Sequence, residues 1–237
     1  MCGRFTLAAA DHDLDAVFGN YSWPERRLRY NIAPTQQVLI LKGNSSEPAW
    51  VRWGLVPRWA RDTSGAARMI NARSETVLEK PAFRDLMSRS RCLVIADGFY
   101  EWQLLPDGKK EPLYFQLPGG VPFGFAGLWD TWHDPTGQIV ETCTILTRAA
   151  PPWLGAIHNR CPVIVDRSAH KRWLDTAQKI DMASADWIEP LTESGLPYAR
   201  VGFRVNSVAN DDSACREVHT KKEPGMVENH PRQGELF

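Results

Sequence analysis

Short apolar runs recur along the chain, at 38–41, 50–53, 92–96, 113–117, 123–129, 142–147 and 161–165. Each is too short for an ordinary helix and too apolar for a loop, which is the signature of a buried strand. Turn-forming residues separate them, such as Lys42-Gly43-Asn44 after the first run and Pro106-Asp107-Gly108 before the fourth. The run at 92–96 is apolar without interruption, so both of its faces are expected to be covered. Strands are also expected at 69–73, 99–102 and 200–205, with 31–35 extended because a residue before Pro34 is pushed out of helical space. Helical signals are few. Residues 11–18 carry Asp11 as a cap, Leu14, Val17 and Phe18 on one face, and Gly19 as a stop. Pro81 opens a second helix through Met87, Ser168 caps a third through Leu174, and 185–193 reads as a fourth. This pattern predicts an α+β fold in a single domain, with a curved, mixed or barrel-like β-sheet and a few flanking helices.

The 237 residues, 43% of them hydrophobic, suffice for one substantial core and fall short of two. No stretch approaches the roughly 20 apolar residues of a membrane helix. The start lacks the basic and apolar regions of a signal peptide, so a cytoplasmic location is expected, without a membrane partner. The five cysteines, at 2, 92, 143, 161 and 215, are odd in number and scattered, which argues against a disulfide framework. No Cys-x-x-Cys pair suggests zinc, so neither a metal nor a cofactor is expected. Residues 222–237 are polar without apolar periodicity and are expected to be a disordered tail beyond a domain spanning 1–221.

Net charge is zero, yet the charges are unevenly spread. Between Arg52 and Arg91 nine Lys or Arg face four acids, with Trp53 and Trp59 among them. Cations interleaved with aromatics suit a nucleic-acid strand, with phosphates held by charge and bases stacked on rings. An ordinary solvated face over core tryptophans would look the same.

Position 2 carries distinctive chemistry. If Met1 is removed, Cys2 offers a primary amine and a thiol on adjacent carbons. An aldehyde condenses with the amine, and the thiol then closes a five-membered thiazolidine on the same carbon, helped by intramolecular proximity.

Six segments occur in a fixed order: Met1-Cys2-Gly3-Arg4-Phe5, Tyr30-Asn31-Ile32-Ala33-Pro34-Thr35, Trp53-Gly54-Leu55-Val56-Pro57, Ile70-Asn71-Ala72-Arg73-Ser74-Glu75-Thr76, Asp97-Gly98-Phe99-Tyr100-Glu101-Trp102 and Ile157-His158-Asn159-Arg160-Cys161-Pro162. In this the chain resembles the SOS response-associated peptidase family, proteins that crosslink to abasic sites in DNA. The resemblance implies an active site of Cys2, Asn71, Glu101 and His158. It also implies a DNA groove lined by Arg4, Asn31, Pro34, Trp59, Arg73 and Arg160. In that reading Glu101 takes the proton from the Cys2 amine, His158 serves as the acid and base for sugar-ring opening, and Asn71 orients the amine or the sugar. The implied partner is single-stranded DNA bearing abasic sites, including single–double strand junctions, met by a monomer that is nucleoid-associated when bound. Asn159 stands where the family often has an acid, and Cys215 interrupts a segment that is mostly apolar there.

Two other classes remain compatible with the residues. A thiol autopeptidase would use Cys2 as a thiolate on an amide and would need no free amine. A non-covalent reader of modified or single-stranded DNA would not need Cys2 at all.

Overall fold

The computed structural model describes residues 2–219 except 44, 46, 185 and 190–194. The strands are β1 (Phe5–Leu7), β2 (Arg29–Ile32), β3 (Gln37–Lys42), β4 (Pro48–Trp53), β5 (Asn71–Arg73), β6 (Arg91–Ala96) and β7 (Gly98–Leu104). They continue with β8 (Lys110–Phe115), β9 (Phe123–His133), β10 (Ile139–Ala149), β11 (Arg160–Pro162), β12 (Ile164–Val165) and β13 (Tyr198–Arg200). The helices are short: α1 (Asp11–Phe18), α2 (Pro81–Arg84), α3 (Leu86–Arg89), α4 (Pro152–Gly155) and α5 (His170–Leu174). The fold is α+β, as the sequence pattern predicts.

Five strands close on themselves. β3 pairs with β4 and β6, β6 with β9, β9 with β10, and β10 returns to β4 in parallel. Closure removes exposed strand edges, and all six residues of β6, Arg91 and the five of the apolar run, are buried. β9 and β10 are eleven residues long, longer than the ring requires. The far end of β10 therefore pairs with β5, Thr147 opposite Arg73, and with β11, Ala149 opposite Arg160.

A second sheet, in the order β13-β8-β7-β1-β2, is antiparallel throughout. Between β6 and β7 the chain passes from the ring to this sheet in a single residue, Asp97. That buried residue accepts the Thr6 hydroxyl and the Ala8 N–H, and so pins β1 at the crossing. Phe5 projects from β1 into the ring, edge-on to Trp53 at 5.1 Å and Phe125 at 5.7 Å between centroids. Phe99 packs on Phe115 at 5.0 Å and edge-on to Phe125 of β9 at 6.0 Å, so the two sheets share one aromatic core.

Several elements depart from expectation. The α1 cap falls on Ala10, not Asp11, whose carboxylate instead pairs with Arg26. Residues 31–35 do not stay extended: after Ile32 the chain turns, and Thr35 has φ of 71°, held by its N–H on the Trp53 carbonyl at 2.8 Å. The helix at 81–87 splits at Asp85 into two single turns. Asp166 rather than Ser168 caps the next helical segment, accepting the Ser168 N–H. The strand expected at 200–205 ends at Arg200, and Phe203–Asn206 is a 3-10 turn. Of the helix expected at 185–193, positions 185 and 190–193 lie outside the described residues, while Ile188 bridges to Val165. The 222–237 tail also lies outside them. No helix among the described residues is long and apolar enough to cross a membrane.

Arg91 shows how little the charge surplus reveals about location. Only 1% exposed, it donates to the carbonyls of Trp173, Met87, Asp175 and Gln178, and so staples the α5 region to β6. Replacing it with Met would leave four carbonyls without this donor, so Arg91→Met is expected to lose roughly 3 kcal/mol or more in urea unfolding.

Candidate active site

The register of β1 against β7 builds the site. Phe5 lies opposite Phe99, and the Tyr100 N–H donates to the Arg4 carbonyl at 2.9 Å, so continuing the pairing sets Glu101 beside the chain's first residues. Glu101 shares a strand face with core-facing Phe99 and is only 3% exposed. Burial pushes its carboxyl up to about 7, a rise tempered by the positive N-terminal amine. A base with that affinity is matched to proton transfer near neutral pH.

Cys2 is fully buried, and burial, followed by the charge of Glu101, holds its thiol well above the ordinary range. Asn71, which opens β5, donates from Nδ2 to the Cys2 carbonyl at 2.8 Å. Its Oδ1 has no hydrogen-bond partner among the described residues, which leaves an acceptor for an incoming amine or hydroxyl.

His158 follows α4, its N–H on the Leu154 carbonyl at 2.9 Å. Its Nδ1 accepts from the Arg160 N–H at 2.9 Å and also lies 3.2 Å from the Arg160 carbonyl oxygen, so the backbone of residue 160 holds this edge of the ring in either tautomer. Burial, with the N-terminal amine second, lowers its pKa and keeps it neutral at pH 7. The backbone of residue 160 therefore orients the ring, and an acid at position 159 is not needed for that.

Glu101 and His158 line one open cleft of about 680 Å³ together with Gly3, Arg4 and Pro34. A second cleft of about 540 Å³ lies across β5, lined by Asn71, Arg73, Arg68, Lys80 and Trp59, the last of these 68% exposed. Of the nine cations between Arg52 and Arg91, these three reach that cleft. Arg58 and Arg89 are engaged by Asp130, Arg84 by Asp85, and Arg91 is internal.

Two residues expected on the groove sit differently. Asn31 is fully buried: its Oδ1 accepts from Arg4 at 2.6 Å, and its Nδ2 donates to the carbonyls of Val205, Ser207 and Asn210. It holds Arg4 and the late segment and does not face the cleft. Arg160 is gripped by Glu75 through both oxygens, each at 2.8 Å. Three lining residues went unnoticed in the sequence reading. Trp102 lies 5.6 Å from the Arg4 guanidinium and donates to Asn206 at 2.8 Å, and Lys110 arrives opposite Leu104 on β8. Trp102 could have been suspected from its place beside Glu101; Lys110 and Asn206 have no local signal. Among the described residues no cluster of three or more His, Cys, Asp or Glu could hold a metal.

Fold and site define an α+β barrel protein with a buried cysteine next to a cleft whose lining begins at Gly3. The chain belongs to the SOS response associated peptidase family, whose model matches residues 1–208. It is 38% identical over 218 residues to the abasic site processing protein YoaM of Bacillus subtilis, covering 89% of this chain and 93% of that one. It is 36% identical over 224 residues to YoqW of the same organism, an abasic site processing protein too, covering 92% and 100%. A crystal structure of a Bordetella bronchiseptica protein superposes with a TM-score of 0.72 at 26% identity, covering 85% of this chain and all of that one.

The raised carboxyl of Glu101 sets a pH dependence of stability. Below pH 4.5 it is protonated both folded and unfolded and costs nothing; as pH rises from 4.5 to about 7 the unfolded state ionises while the folded state resists, and stability is lost until the folded group ionises too. Glu101→Gln is expected to unfold like the parent at pH 4.5 and to be more stable at pH 8 by up to roughly 3 kcal/mol in urea titrations.

Proposed function

We propose that this protein captures the ring-opened aldehyde of an abasic site in single-stranded DNA as a thiazolidine on Cys2, after loss of Met1. What carries the reading is Asn71 holding the Cys2 carbonyl at 2.8 Å, beside a buried carboxylate with a pKa of about 7. A free α-amine has a pKa of about 8, so Glu101 can take its proton at little cost. The neutral amine adds to the aldehyde carbon to give a carbinolamine. Glu101, now protonated, returns that proton to the carbinolamine hydroxyl, which leaves as water with the His158 ring hydrogen-bonded to it, and an iminium remains. The Cys2 thiol then adds to the iminium carbon and gives its proton to Glu101, closing the ring. The balance is aldehyde plus aminothiol giving thiazolidine plus water, with no redox change. The raised thiol pKa favours this order over a peptidase's, since a thiolate attack on an amide would need the opposite shift. The Schiff-base stage is lyase-like chemistry, and ring closure diverts it from strand cleavage. Arg73, Lys80 and exposed Trp59 suit the flanking strand, as phosphate partners and a stacking surface.

Denaturing gels of protein incubated with abasic single-stranded DNA test this. The parent should give a heat-stable adduct. Cys2→Ser, which keeps the amine and loses the thiol, should give one only when borohydride reduces the imine. A heat-stable Cys2→Ser adduct at the parent's level without reductant would rule out the thiazolidine, and no adduct from the parent would favour a non-covalent reader.

Arg73→Ala should weaken binding to single-stranded DNA and flatten the slope of log affinity against log salt by about 0.7, the share of one phosphate contact. An unchanged slope would put the strand elsewhere.

A further inference from the structure

Glu75 is the second residue beyond β5, and it reaches two other elements. Its carboxylate accepts both arms of the Arg160 fork at 2.8 Å and the Ala149 N–H at 2.8 Å. The same guanidinium donates to the Thr147 carbonyl at 2.6 Å. One carboxylate thus joins the segment after β5, the end of β10 and the start of β11. Upstream on β5 is Asn71, on the Cys2 carbonyl; two residues before Arg160 is His158, whose Nδ1 takes the Arg160 N–H.

We propose that Glu75 is a positioning residue of this site: by holding the Arg160 fork it fixes the backbone that orients His158, and it ties that turn to the strand carrying Asn71. The fork is held by this carboxylate through both oxygens, and the Arg160 side chain is 13% exposed. Lysine could not substitute, because a bidentate grip needs the planar fork. The hydrogen bonds from Arg160 hold the Glu75 carboxyl down at about 2, so the grip persists at any working pH.

The charged groups around His158 give the variant its signature. The N-terminal amine, Lys110 on β8 and Arg160 all disfavour its protonation, and Glu101 lies in the same cleft. Removing the Glu75 charge leaves Arg160 uncompensated, so the His158 pKa falls further. The freed fork then becomes available to DNA.

Glu75→Gln is compared with the parent by nitrogen-resolved NMR of the His158 ring in the free protein, by affinity for undamaged single-stranded DNA across salt, and by the rate of adduct formation. The variant should show a tautomer balance shifted from the parent's and a lower pKa. Its affinity should be equal or greater, with a salt slope steeper by about 0.7. Its adduct should form roughly tenfold more slowly, part of what a positioned acid–base group contributes. Arg160→Lys, which keeps the charge and breaks the fork, should share the shifted tautomer balance. Loss of fold alone would lower rate, affinity and melting temperature together; that outcome, or an unchanged His158 tautomer and pKa, overturns the proposal. The rate arm rests on the proposed capture reaction, but the NMR arm does not. A parent that forms no adduct therefore sinks that function while the ring measurement still decides the role of Glu75.

Discussion

Insertion of β1 between β2 and β7 is the interaction on which the rest depends. Its three residues are all buried, and Phe5 fills the space between Trp53 and Phe125. Burying one phenylalanine contributes about 2–3 kcal/mol, and edge-on ring contacts add about 1 more. With strands hydrogen-bonded on both sides and Asp97 pinning Thr6 and Ala8, the segment has almost no freedom to shift. Cys2 lies three residues upstream of that anchor, so its placement is inherited from the packing of a core. Chain ends are ordinarily poorly ordered; here Cys2 and all three residues of β1 are buried.

The same economy places Glu101. Phe99 and Glu101 face the same way on β7, so the strand that delivers a core aromatic also delivers a carboxylate into the rim of that core. Its raised proton affinity is a cost to stability and also brings its titration close to neutral pH, and one environment produces both. His158 shows the complementary device, a ring kept neutral by burial and oriented by a backbone N–H.

Much of this was legible in the residues, and the reasons for the rest are specific. The uninterrupted apolar run in β6 announced a strand covered on both faces because nothing in it could tolerate water. The position of Cys2 and the sequence around Asn71, Glu101 and His158 drew attention to the residues that meet near the cleft. What escaped notice was settled by partners distant in sequence. Asn31 looks like a groove residue until its amide is seen to satisfy three carbonyls about the Phe203–Asn206 turn; that turn looks like a strand for the same reason. Arg91 counts as one more surface cation until four carbonyls claim it. Side chains that cap backbone far along the chain leave no periodicity to read, whereas side chains that pack on a strand's own face do.

The burial of Cys2 next to a cleft whose lining begins at Gly3 has a mechanical consequence. Gly3 and Arg4 line the cleft, and the very next residue, Phe5, is packed against Trp53 and Phe125 in the core. A substitution that loosened Phe5 would therefore be felt at the cleft without touching it.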